Sequence, residues 1–167
     1  TDAGFLRTVV KSWEGSLKTF QSLDVKTTAL RIGIVLDSQE GALPKIMGPI
    51  KNYFGAALGS GDQWQSWIHI DDLVSLFMFV LEFKLDGVYN AVAPNPVQQK
   101  ELTKLIAKIL QRPLVLPNVP EFALRLMLGE MRAIALESQR VCASKIQDAG
   151  FKFNFLELES ALEDLIA

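Results

Sequence analysis

Cysteine and histidine are almost missing from this chain: among 167 residues, Cys142 and His69 are the only examples of each. A single thiol cannot close an internal disulfide, and no cysteine pair has metal-ligand spacing, a usage that fits a reducing cytoplasm. Charge of one sign is missing as well, with 17 Lys and Arg against 19 Asp and Glu. The basic residues are scattered through amphipathic segments, which excludes an electrostatic grip on nucleic-acid backbones. Long apolar runs are also lacking. The richest, residues 73–81, contains Ser75 and stops at Glu82, far short of the roughly 20 residues that cross a bilayer. The first residues carry no signal-peptide pattern, and no repeat or low-complexity stretch interrupts the chain. A dinucleotide fingerprint is missing too: Gly59-Ser60-Gly61 runs into Asp62-Gln63-Trp64 rather than into a helix start.

What is present concentrates in residues 57–73. Two turn-forming glycines, two of the three tryptophans, the single histidine and the pair Asp71-Asp72 lie there, just ahead of an apolar helical stretch. Polar and aromatic residues gathered at the end of an extended segment supply what a ligand crevice needs, a rigid apolar wall with a few placed hydrogen-bonding groups. With 49% hydrophobic residues, the chain can bury the core of about one domain.

Apolar residues Phe5, Leu6, Val9, Val10, Trp13, Leu17 and Phe20 form a helical stripe at the outset, with no strand before it. Together with the missing initiator Met, this predicts a chain that begins mid-protein. Residues 27–36 are apolar on both faces apart from Arg31, the pattern of an interior parallel strand covered by helices. Pro44 and Pro49 predict a short or broken helix within residues 41–53, closed by Gly55. Residues 63–70 read as extended, and Asp71 or Asp72 as the N-cap of a helix over 73–83 that is apolar nearly all round and therefore buried. Asp86-Gly87 turns into a strand over 88–92, stopped by Pro94 and Pro96. A helix follows over 98–111, then a proline-punctuated link over 112–120. Helical pieces are expected over 121–128, 131–139 and 144–149, the first and last ended by Gly129 and Gly150, with a final stripe from Phe155 to Ile166.

This order predicts an α/β protein, the C-terminal portion of a doubly wound Rossmann-like fold with a small, mostly helical C-terminal substrate-side region. The expected divisions are residues 1–39, a trailing helix and strand of a Rossmann domain; residues 40–112, a substrate-side segment with the cleft motif and a returning strand at 87–93; and residues 113–167, the small helical domain. Strand 27–36 then presents an unpaired edge or pairs with another copy.

Several motifs in order carry a family resemblance: Trp13-Glu14, Leu30-Arg31-Ile32-Gly33-Ile34-Val35-Leu36, Gly41-Ala42-Leu43, Leu58-Gly59-Ser60-Gly61, Trp67-Ile68-His69-Ile70-Asp71-Asp72-Leu73, Gly87-Val88-Tyr89-Asn90 with Ala93-Pro94, Gly129-Glu130-Met131, Ser138-Gln139-Arg140-Val141 and Gly150-Phe151. On these the sequence resembles the C-terminal half of extended and atypical short-chain dehydrogenase/reductases, in an epimerase-like branch whose members end in a small C-terminal domain of unknown function. The resemblance implies NAD or NADP for the full-length parent, with its fingerprint upstream of Thr1, and no cofactor bound by this fragment alone. It places Arg31, Ile32, Gly33 and Ile34 at the nicotinamide end of the pocket, and Gln63, Trp64, Gln65, Trp67, His69 and Asp72 on the substrate cleft.

Two departures accompany it. With Glu14 aligned to the family's helix glutamate, the Tyr-x-x-x-Lys dyad falls on Leu6 and Val10, neither of which relays a proton; Lys11 stands one position away on another helical face. The arginine that grips a diphosphate in nucleotide-sugar enzymes is Gln65 here, which offers no charged fork. No catalytic residue and no metal ligand is therefore assigned, and the fragment alone is expected to be inactive. Two functions stay open: the substrate-side part of an epimerase or reductase acting on a small carbonyl or hydroxyl substrate, or a catalytically silent nucleotide- or partner-binding module using the same cleft. Expected partners are the small-molecule substrate, the missing N-terminal Rossmann half and a second copy of the chain, with neither nucleic acid nor membrane.

Residue by residue, the structural alternatives are plain. A lone His69 reads first as an internally hydrogen-bonded residue, ahead of an acid or base. Asp72 suits a helix cap. Arg31 needs a partner or the strand's open end, and ion pairing and ligand contact both meet that need. One of Trp64 and Trp67 belongs to the core. Glu130 and Arg140 read as an ion pair or as surface charges.

Overall fold

The computed structural model describes residues 2–21, 23, 25–120, 122 and 138–166. In chain order these form α1 (Asp2–Gln21), β1 (Thr28–Ile32), β2 (Ile34–Leu36), α2 (Ala42–Lys51), β3 (Trp64–Gln65), β4 (Trp67–His69), α3 (Ile70–Glu82), β5 (Gly87–Ala91), β6 (Val97–Gln98), α4 (Gln99–Ile109), α5 (Ser144–Asp148) and α6 (Leu158–Ile166). Apart from Phe122, which is helical, the helical pieces expected over 121–128 and over most of 131–139 lie outside the described residues. Ser138 and Gln139 themselves are not helical.

The expected single strand over 27–36 is two strands with two partners. β1 pairs in parallel with β5, matching Thr28 to Gly87 and Ile32 to Ala91, whereas β2 pairs in parallel with β4, matching Ile34 to Trp67 and Leu36 to His69. The exchange happens at Gly33, whose N–H donates to the Ala91 carbonyl while the next N–H, of Ile34, donates to Ser66. A Cβ on Gly33 would lie 2.3 Å from the Ser66 carbonyl oxygen and 2.7 Å from Val92 Cγ1, so only glycine permits this approach. Ala93 N–H then donates to the Trp67 carbonyl at 2.6 Å, joining the end of β5 to β4. Among the described residues β1 has one strand neighbour, and Arg31 and Ile32 stand exposed. This strand is therefore not covered on both faces, but it does present the unpaired edge its pattern predicts.

Side chains alternate across β2 and β4 and so divide the core into two clusters. Leu36 and Trp67 face one cluster with α2, α4 and α6, where Leu43, Ile50, Leu102, Ile106 and Leu162 are buried. Ile68 faces the other with α3, β5 and α5, where Leu76, Val80, Ala91, Ile146 and Phe151 are buried. Helices on both faces of parallel-paired strands make this an α/β architecture.

Several local readings need correction. Helix α3 is buried on one side only. Leu73, Leu76 and Val80 point inward, while Val74, Phe77, Met78 and Leu81 are exposed. Helix α2 runs on past Pro49 to Lys51, since a proline near a C-terminus removes only one late hydrogen bond. Most of the α1 side chains described between residues 8 and 20 face outward. Val9 and Leu17 are half-buried, Trp13 is 71% exposed, and Arg31 holds Glu14 through two bonds of 2.7 and 2.8 Å. That guanidinium keeps the Glu14 carboxyl below the usual carboxylate range.

The cap of α3 is His69, not an aspartate: its Nδ1 accepts the Asp71 N–H at 3.1 Å. Asp72, fully buried, instead accepts the N–H groups of Asn154 and Phe155 at 2.8 and 2.9 Å. A buried carboxylate is tolerable when hydrogen bonds replace its hydration, and removing it strands two donors. Replacing Asp72 with Ala is expected to cost about 3 kcal/mol, read from urea unfolding as a lower midpoint with an unchanged slope.

Candidate functional site

Beside Gly33 the strand exchange leaves a cavity of about 470 Å³. Arg31, Ile32, Gly33 and Ile34 form one wall, and Trp64, Gln65 and Ser66 the facing one, with Val92, Gln139 and Val141 completing the lining. All four residues expected at the nicotinamide end thus share one cavity with two of the six expected on the substrate side.

The facing wall is built from polar groups with assigned partners. Trp64 N–H donates to Ser138 Oγ at 3.0 Å, and Gln139 N–H returns to the Trp64 carbonyl at 3.1 Å. The Ser66 hydroxyl donates to the Gln139 carbonyl at 2.8 Å and accepts the Val141 N–H at 2.9 Å. Residues 138–141 are therefore laid along 64–66 by two hydroxyls, of Ser138 and Ser66, and one backbone–backbone bond. Arg140 covers the outside of this seam, its guanidinium 4.6 Å from the centre of the Trp64 ring.

The other four cleft candidates are occupied elsewhere. Gln63, nearly buried, donates from Nε2 to the Leu58 carbonyl at 2.9 Å. Trp67 donates from its indole N–H to the Asn95 carbonyl at 2.9 Å within the first core cluster. Asp72 holds residues 154 and 155. His69, 1% exposed, caps α3 and stacks on Phe155 with ring centres 3.8 Å apart. None of the four lines the cavity.

His69 also adjoins the one group among the described residues with metal-like spacing, His69, Asp71 and Asp164. Because Nδ1 accepts the Asp71 N–H, the neutral ring carries its proton on Nε2. That nitrogen faces Asp164 Oδ2 at 3.3 Å, within ion-pair distance but without the alignment of a hydrogen bond. Neither nitrogen keeps a lone pair for a metal, so the group serves as cap and packing.

Chemically, the cavity joins apolar surface from Ile32, Ile34, Val92 and Val141 to the amides of Gln65 and Gln139. Among the described residues Arg31 is the only charged lining residue, and Glu14 already engages it. The sole lining hydroxyl among them, on Ser66, is committed both as donor and as acceptor. These groups can hold and orient a neutral polar ring; none is placed to relay a proton. Sequence reasoning missed Ser66, Val92, Gln139 and Val141. Ser66 and residues 138–141 lie inside matched motifs, but only long-range pairing shows that they meet.

Residues 119–165 match the family described as Domain of unknown function (DUF1731). Over 164 residues the chain is 38% identical to an epimerase family protein of Staphylococcus aureus (strain MRSA252), a match covering 98% of this chain and 54% of the relative. The chain is similar to one part of these epimerase family proteins. It spans about half the length of the curated relatives it matches. Among solved structures, human epimerase family protein SDR39U1 (isoform 2) with NADPH superposes with a TM-score of 0.78 at 32% identity, over 84% of this chain and 48% of that one. The nucleoside-diphosphate sugar epimerase from Corynebacterium glutamicum gives 0.76 at 26% identity, over 97% and 31%. No helix among the described residues is long and apolar enough to cross a membrane.

Substitutions at two positions test this assignment of roles. Gly33→Ala forces a methyl group against the Ser66 carbonyl and is expected to cost about 1–3 kcal/mol, measured by urea unfolding. His69→Ala removes the cap of α3 and should lose about 1–2 kcal/mol, whereas His69→Asn, which still offers a cap oxygen, should recover most of it. Thermal unfolding of the two His69 variants side by side checks that order.

Proposed function

We propose that this chain is the substrate-side, C-terminal half of an NAD(P)-binding epimerase or reductase that acts on a small carbonyl or hydroxyl compound. The single observation that carries the reading is the shared cavity. The strand residues expected at the nicotinamide end, Ile32 to Ile34, face the polar-aromatic residues Trp64 and Gln65 across a space suited to one small ring and its reaction partner. A parent Rossmann half would supply the glycine-rich phosphate turn, add a strand at the open edge of β1 and cover Ile32. The NADPH in the human relative's structure supports the cofactor class. When bound, the cofactor supplies hydride transfer. This chain's part is to wall the ring with Ile32, Gly33 and Ile34 and to orient the substrate through the Gln65 and Gln139 amides.

A second reading is a nucleotide-binding module without turnover. Two observations favour it: no lining residue among those described can act as acid or base, and the family's dyad positions are Leu6 and Val10. NADPH consumption by the full-length protein against a panel of small aldehydes and ketones decides between the two. The enzyme reading expects turnover with at least one of them, and a Gln65→Leu variant that raises KM about tenfold with little change in kcat. Tight NADPH binding with no turnover across the panel selects the second reading.

A further inference from the structure

A second cavity among the described residues, of about 680 Å³, lies between α2 and the start of α4. It shares no lining residue with the cavity beside Gly33, and its size is that of a site for a small organic molecule, about 300–1,000 Å³. Ile46 and Ile50 of α2 form one wall, and Ala56 and Leu58 of the segment after α2 form the other. Gly55 brings that segment close, since a Cβ there would lie 2.7 Å from Ile50 Cγ1 and 2.8 Å from Leu114 Cδ2. Two buried polar side chains of α4, Gln99 and Thr103, complete the lining. They are tied to each other and to the backbone: Gln99 Oε1 accepts the Leu58 N–H at 3.0 Å, and Gln99 Nε2 donates to Thr103 Oγ1 at 2.9 Å. Such an interior offers little for a hydrogen-bonding base or sugar to read, and it favours an apolar guest.

The rim specifies the guest further. Lys45 stands exposed there, the only charged residue among the described lining residues. Among the described residues no carboxylate pairs with it. Phe54, also on the lining and 69% exposed, offers apolar surface that a bound chain would cover. A single ammonium with no arginine fork beside it suits a monoanion such as a carboxylate better than a phosphate, which draws several donors. We propose that this cavity is a binding site for a medium-chain monocarboxylate, its hydrocarbon chain lying between α2 and α4 and its carboxylate at Lys45 Nζ. The inference does not rest on the cofactor reading, because the two cavities are lined by different residues.

Isothermal titration calorimetry of the full-length protein with octanoate tests the site. Saturable binding is expected below about 1 mM, tightening about fourfold per methylene from butyrate through hexanoate to octanoate. Lys45→Gln should weaken octanoate about tenfold and leave 1-octanol unchanged, since only the charge is lost. Ala56→Phe, which fills the cavity, should abolish binding of both, with unchanged circular dichroism. If that variant misfolds, the exposed Lys45→Gln change still decides the matter. NADPH should leave the octanoate affinity unaltered. The proposal is overturned if octanoate gives no saturable heat, as when another stretch of the same polypeptide fills the cavity, or if Lys45→Gln binds it as tightly as wild type. Displacement of octanoate by NADPH, or tighter binding of uridine monophosphate in its place, overturns it equally.

Discussion

Two backbones come closer at Gly33 and Ser66 than any side chain would allow, and the arrangement of the site depends on that approach. Since a Cβ at position 33 would sit 2.3 Å from the Ser66 carbonyl, glycine lets the strand hand its hydrogen bonds from Ala91 to Ser66 within two residues. Without the handover, β4 could not lie beside β2, and Trp64 to Ser66 would not face Ile32 and Ile34. The cavity is thus a by-product of a change in strand pairing rather than a gap between preformed lobes.

Ser66 then extends the same constraint outward. Its hydroxyl answers a carbonyl and an amide of residues 139 and 141, so the later segment is registered on the earlier one by a group only three atoms long. This explains why a serine, with little to offer as a catalyst here, sits in the middle of the most chemically suggestive stretch of the chain. The polar accounting around the cavity is nearly closed. What is left to meet a bound molecule is the amides of Gln65 and Gln139 and the apolar wall.

Much of this was legible in the sequence where local signals decide. The turn at Asp86-Gly87 leads into β5, α4 occupies most of its predicted span, and Gly150 ends the segment after α5 with φ near 101°. Residues 31–34 line one cavity with Trp64 and Gln65, residues that the motifs had singled out. What failed depends on partners distant in the chain. Residues 27–36 look like one buried strand until Ser66 intervenes. Asp72 looks like a cap because Asp at a helix start usually is one, yet its acceptors are claimed by amides more than eighty residues later. His69 takes over the vacated role with a ring nitrogen, a substitution that no periodicity reveals. The apolar run of α3 predicts burial without saying which side meets protein, and half of it meets solvent.

The Asp72 clamp also has a bearing on how the molecule comes apart. Phe153 packs in the cluster behind α3, whereas Phe155 packs in the cluster on the opposite face of the strands. The chain therefore crosses from one to the other at the two amides that Asp72 holds. Neither half of the interior can loosen by itself without pulling on that carboxylate. Two separately packed interiors are thereby made into a single cooperative unit, whose parts melt together rather than in turn.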